Sequence, residues 1–252
     1  MMQYANDGNL LAYLNNNINK LTWKMKLEHL KNIAYVLYLM HEKGLMHCDL
    51  HGGNIVLNNE QPDSESSSMA FICDLGLSKS VNSTTSGSSI QGVLPYIAPE
   101  LFHTLKFTPE SDIYSFGILV YLIASGEPPY RGRPFDENLA RNIVSGQRPV
   151  IPDSTPEPYK KLAEMCCDAD PGKRPTAKNL YLHIGELISE ANKDKPENDV
   201  WDNIYYKTDM KPLSRVEKDT KYSSRMLPTV FMTKTRNYSN FHSITGSYTI
   251  LH

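Results

Sequence analysis

Leu27, Leu30, Ile33, Ala34, Leu37 and Met40 recur at spacings of three and four, which predicts an amphipathic helix. Gly44 follows as its stop. Two short β-prone runs come next, Ile55-Val56-Leu57 and Ala70-Phe71-Ile72-Cys73, separated by a Ser, Asp, Glu and Pro-rich turn at 58–68. Residues 78–91 are almost all small or polar and predict a loop with no buried face. Ser111 to Ser125 is apolar nearly all round, the pattern of a helix in the middle of a core, and Pro109 suits its first turn. Further helical patterns cover 136–145, 157–167 and 176–190, with Gly and Pro between them. The body reads as mainly α with one small β element.

Composition narrows the class. The chain has 252 residues, 40% hydrophobic and 21% charged, enough for a folded core. A net charge of -2 offers no broad basic surface and argues against sequence-blind nucleic-acid binding. The longest apolar run, Ile118 to Ala124, is far short of a membrane span, and the N-terminus lacks the pattern of a secretion signal. Cys48, Cys73, Cys166 and Cys167 show no CxxC or Cys/His metal spacing, which points to a reduced cytosolic or nuclear protein, cytoplasmic in the first instance. Composition changes near residue 190. Residues 191–252 carry 10 Lys/Arg against 7 Asp/Glu, 13 Ser/Thr and only 11 Leu/Ile/Val/Phe. That predicts a folded body over 1–190 and a polar, weakly basic, disordered tail. No internal repeat is present.

Candidate chemistry lies in three clusters in a set order. His47-Cys48-Asp49-Leu50-His51-Gly52-Gly53-Asn54 follows the first helix, Asp74-Leu75-Gly76 follows the second strand, and Gly92-Val93-Leu94-Pro95-Tyr96-Ile97-Ala98-Pro99-Glu100 closes the polar loop. Each alone has a plain reading as a turn or loop. Together, with Ser111-Asp112-Ile113-Tyr114-Ser115-Phe116-Gly117 and Asp170-Pro171-Gly172-Lys173-Arg174-Pro175-Thr176 after them, they resemble the catalytic half of the eukaryotic protein kinases. The resemblance implies a helical C-terminal lobe, Mg-ATP as phosphoryl donor and a protein hydroxyl as acceptor. It makes Asp49 the group that orients the acceptor hydroxyl, and Asn54 and Asp74 the Mg²⁺ ligands. It makes Glu100 and Arg174 a buried ion pair and Asp112 a support for the catalytic loop. His47 and Gly76 are further structural supports of the motifs. Met2 to Leu10 looks like the hinge between lobes, so that backbone groups of Gln3 and Ala5 face adenine and Val56 lies beneath the ring.

The departures carry consequences of their own. No GxGxxG and no strand Lys of the V-A-I-K type occurs in the sequence, so the small N-terminal lobe is expected to be absent from this chain. A partner or a small lobe is then expected over an exposed apolar hinge face. Cys48 stands where most of the family has an Arg that pairs with an activation-loop phosphate. Any phosphate on Ser78, Ser80, Ser83, Thr84, Thr85, Ser86, Ser88 or Ser89 should therefore switch activity weakly. His51 stands where Ser/Thr kinases usually carry Lys, and Val93 where they usually carry Thr; the overall layout favours Ser/Thr acceptors and a role in signal transduction. The alternative reading is a catalytically dead half-kinase or pseudokinase that serves as a protein-binding scaffold.

Overall fold

A computed structural model describes residues 8–58, 69–82, 90–191 and 224–227. Its frame is helical. Helix α1 (Leu10–Asn17) starts at Asn9, whose side chain accepts a hydrogen bond from the Ala12 amide, and buries Leu10, Leu11, Tyr13 and Leu14. Helix α2 (Trp23–Glu42) is capped by Thr22 and turns Leu27, Leu30, Ile33, Ala34 and Leu37 inward. Gly44 then closes it with φ 68, a left-handed conformation that costs glycine nothing.

Two short helical elements separate the strands from the central helix: a 3₁₀ turn over Leu94–Tyr96 and helix α3 (Leu101–Thr104). Helix α4 (Pro109–Ser125) is the axis of the core. Thr108 and Ser111 form a reciprocal capping box at its start, and every residue from Ser111 to Ala124 is buried. Around it stand α5 (Glu137–Val144), α6 (Glu157–Cys166) and α7 (Ala177–Ala191). Helix α7 packs along α2 and α6 packs along α4. Trp23 of α2 meets Tyr159 of α6 edge to face, 5.2 Å between ring centroids, and knits the two layers together.

The strands are short and paired in twos. β1 (Leu45–Met46) runs antiparallel to β4 (Lys79–Ser80), and β2 (Ile55–Asn58) to β3 (Met69–Ile72), with Val56 opposite Phe71. β5 (Gln91–Gly92) pairs with β6 (Arg225–Met226). The predicted helices and the two β-prone runs therefore appear close to their expected bounds. Two features differ. Helix α1 lies in a stretch for which no helix is predicted, and the ends of the polar 78–91 loop are strands. Both strands are held by backbone pairing with distant segments, which composition does not register. Residues 224–227 belong to the extension expected to be disordered; the rest of that extension after Ala191 lies outside the described residues.

Candidate active site

The loop 47–54 is fixed from below by one carboxylate. Asp112, in the first turn of α4 and 1% exposed, accepts the His47 amide at 2.8 Å on Oδ2 and the Cys48 amide at 2.9 Å on Oδ1. His41 Nε2, from α2, lies 3.0 Å from the same Oδ2. These contacts satisfy backbone donors that would otherwise be orphaned where Cys48 takes a left-handed φ of 67. His47 then ties the loop to the strands. Its Nδ1 accepts the Asp49 amide at 3.3 Å, so Nε2 carries the proton and donates to the Cys73 carbonyl at 3.2 Å.

Asp49 sits above this base, 7% exposed. Asn54 Nδ2 donates to the Asp49 carbonyl at 3.0 Å and to its Oδ2 at 3.3 Å, which leaves Asn54 Oδ1 as a spare acceptor. His51 Nε2 lies 3.7 Å from Asp49 Oδ2. The Gly53 amide donates to His51 Nδ1 at 3.0 Å, so in the neutral ring Nε2 is the donor. Gly92 closes the other side with φ 152, and a Cβ there would lie 3.5 Å from Asp49 Oδ1. The fourth neighbour comes from far along the chain: the Ser224 hydroxyl donates to Asp49 Oδ2 and lies 3.2 Å from His51 Nε2.

Asp74 follows β3, is exposed, and holds a left-handed φ of 58 with Oδ1 accepting the Gly76 amide at 3.2 Å. Oxygen donors on Asn54 and Asp74 suit a hard cation such as Mg²⁺, which takes few protein ligands and completes its shell from phosphate and water. No group of three or more His, Cys, Asp or Glu gathers into a metal cluster among the described residues. Val56 lies on the outer face of β2, bridged to Asn9, while Leu57 donates to the Gly8 carbonyl at 3.2 Å. Gln3 and Ala5 fall outside the described residues.

Below the site, Arg174 and Glu100 form a two-pronged ion pair at 2.7 and 2.8 Å. Arg174 also donates to the carbonyls of Asp168 and Glu110, both at 2.9 Å, so four of its five N–H groups are engaged. Ser115 Oγ donates to the Tyr96 carbonyl at 2.7 Å and ties the segment around Glu100 to α4. Burial, reinforced by Asp112, pushes the Cys48 thiol up to about 12. It stays neutral at pH 7 and offers no positive charge where an Arg would.

Three residues of this site were not singled out as functional by sequence reasoning. His51 was visible only as a departure from Lys, two positions after Asp49. Gly92 stands in the sequence as part of a motif, with nothing to mark it as the close neighbour of Asp49. Ser224 had no signal at all, being one of many Ser and Thr in a polar stretch.

Comparisons with known proteins bear on the family. The sequence model of the family described as protein tyrosine and serine/threonine kinase matches residues 1–184. The chain is 31% identical over 192 residues to MDIS1-interacting receptor like kinase 2 of Arabidopsis thaliana, covering 69% of the chain and 18% of that protein. It is 28% identical over 208 residues to a mitogen-activated protein kinase kinase kinase 7-like protein of Drosophila melanogaster, covering 77% and 50%. It is 31% identical over 166 residues to mast/stem cell growth factor receptor kita of Danio rerio, covering 64% and 16%. The chain thus spans half or less of the length of these relatives. It belongs to the protein tyrosine and serine/threonine kinase family. No helix among the described residues is long and apolar enough to cross a membrane.

Proposed function

We propose that residues 1–190 form the helical catalytic lobe of a protein kinase that moves the γ-phosphoryl group of Mg-ATP to a Ser or Thr hydroxyl, with 191–252 as an extension. Bound Mg-ATP supplies the electrophilic phosphorus and neutralises its own phosphate charge. The chain supplies position. Asp49 orients the acceptor hydroxyl and takes its proton on Oδ2, Asn54 braces Asp49 and offers Oδ1 to the metal, and Asp74 offers its carboxylate. Gln3, Ala5 and Val56 are proposed for the adenine. The observation that carries the reading is the Asp49–Asn54–His51 cluster, held by Asp112 from a buried helix start. The Ser/Thr preference is supported by a serine hydroxyl reaching Asp49 from a strand paired to β5, a depth that suits a short side chain.

Exposed apolar groups at Phe71 and Leu75 favour a covering small lobe or partner that excludes water and completes the phosphate site. The four free thiols suit a reducing, cytoplasmic setting. Asp49→Asn is expected to lower phosphoryl transfer by about 10²–10⁴-fold in the full-length protein, read with Ser, Thr and Tyr peptides and Mg-ATP. An unchanged rate would remove Asp49 from its role. The second reading, a scaffold without catalysis, draws on the same exposed face and on the neutral Cys48. It predicts no transfer and unchanged partner capture by Asp49→Asn.

A further inference from the structure

We propose that Ser224 is a phosphorylation site which the chain presents to its own Asp49. This rests on the reading of Asp49 as the group that orients the acceptor. The contacts are those of a docked acceptor strand. β6 runs antiparallel to β5 with Gln91 opposite Met226 and Gly92 opposite Arg225. The Leu227 amide donates to the Ile90 carbonyl at 2.9 Å, and the Leu227 side chain is 3% exposed within the core cluster. An Arg225 guanidinium nitrogen donates to the Phe135 carbonyl at 3.1 Å. The anchors leave Ser224 at the reacting position, its hydroxyl donating to Asp49 Oδ2 and accepting from His51 Nε2.

Register decides which hydroxyl is used. Ser223 precedes Ser224, and a slip of one residue would exchange them and remove Leu227 from its buried place. The stretch between Ala191 and Ser224 can reach on the order of 100 Å at about 3.3 Å per residue, so delivery within one molecule meets no limit of length. The step balances with a nucleoside triphosphate as co-reactant. Ser224 Oγ bonds to the γ-phosphorus, the bond from that phosphorus to the β–γ bridging oxygen breaks, and the diphosphate leaves with the electron pair. The hydroxyl proton passes to Asp49 Oδ2 and on to solvent. A phosphoserine carrying about −1.5 to −2 charge then faces the Asp49 carboxylate, so the modified strand leaves the site it occupied.

Docking is read without catalysis. In the full-length protein, Gln91→Cys with Met226→Cys places two thiols at directly paired positions, within the usual span of a disulfide. Mild oxidation should link them at least several-fold faster than the offset pair Gln91→Cys with Arg225→Cys, and adding Ser224→Glu should slow the link several-fold. Equal rates for the two pairs overturn the docked strand. Transfer is read by mapping phosphate after incubation with Mg-ATP beside an added Ser peptide. Phosphate on Ser224 and not Ser223, at a rate independent of protein concentration and lost in Ser224→Ala, is the expected result. Phosphate on the added peptide with none on Ser224 overturns this proposal and leaves the kinase reading standing. Transfer to neither acceptor overturns both, and a rate that rises with protein concentration assigns presentation to a second copy and overturns delivery in cis.

Discussion

Lys26 is 1% exposed inside the helical body, where its ammonium donates to the Ala124 carbonyl at 2.9 Å and lies 4.2 Å from the Trp23 ring centroid. Burial pulls its pKa down to about 7. Between about pH 7 and 10.5 the unfolded chain therefore holds a proton at this position that the folded chain has released. Stability must rise with pH across that window on Lys26's account, and the contribution falls away as pH drops through 7. Lys26→Met removes the titration and keeps the apolar stem. Urea unfolding at pH 7.0 and 8.5 should show the wild type gaining about 1.5 kcal/mol relative to Lys26→Met; the free thiols, which act in the opposite direction as they ionise in the unfolded chain, are common to both variants and cancel. A constant difference would mean that the buried amine stays charged. No pattern in the sequence marks this residue: Lys26 reads as one more cation on the polar side of a helix, and only the packing of α4 against α2 encloses it.

The close fit of α4 and α6 turns on a missing side chain. A Cβ at Gly117 would lie 2.5 Å from Cys167 Sγ and 2.8 Å from Cys166 Cβ, too near for either helix to stay in place. Alanine is better than glycine within a helix by about 1 kcal/mol, so an uncrowded site would gain from the change. Overpacking of a filled core costs about 1–3 kcal/mol, and at these distances it wins. Gly117→Ala is expected to lower the unfolding free energy in denaturant titration, with partial recovery when Cys167→Ala is added. A stabilised Gly117→Ala would show slack between the helices. The same scale shows what was legible beforehand. α2, α4, α5, α6 and α7 announce themselves because one face, or in α4 the whole surface, must be apolar to be buried. α1 is short, and its Asn15-Asn16-Asn17 end hides the cap signal at Asn9. β4, β5 and β6 are two residues each and exist by pairing across long stretches of sequence, so nothing local marks them. The motif order placed Asp49, Asn54 and Asp74 on the loops that the structure gives them, whereas Ser224 enters the site through a contact 175 residues apart in sequence.

Taken as a whole, the molecule encloses one face of its small β element and leaves the other open. In the β2–β3 hairpin Ile55, Leu57 and Ala70 turn into the core, while Phe71, opposite Val56, is 38% exposed. Leu75, next to Asp74, is 57% exposed. Directly opposed residues share a face, so Val56 and Phe71 make an apolar surface beside the loop that carries Asp74. Large exposed groups of this kind add little to the stability of the chain itself, because only the area already removed from water counts, at about 25 cal/mol per Å². The proposed function gives them a use, as a surface for a small lobe or partner to cover. Phe71→Ser with Leu75→Ser should therefore change the unfolding midpoint of this chain little, reduce binding of a hydrophobic dye, and reduce self-association in sedimentation velocity. On the proposed function, the same pair should loosen the lobe or partner that covers this face, read as faster amide exchange in β2 and β3. A large fall in the unfolding midpoint of the isolated chain would instead show that the two side chains hold the body together, and the open face would then belong to the core.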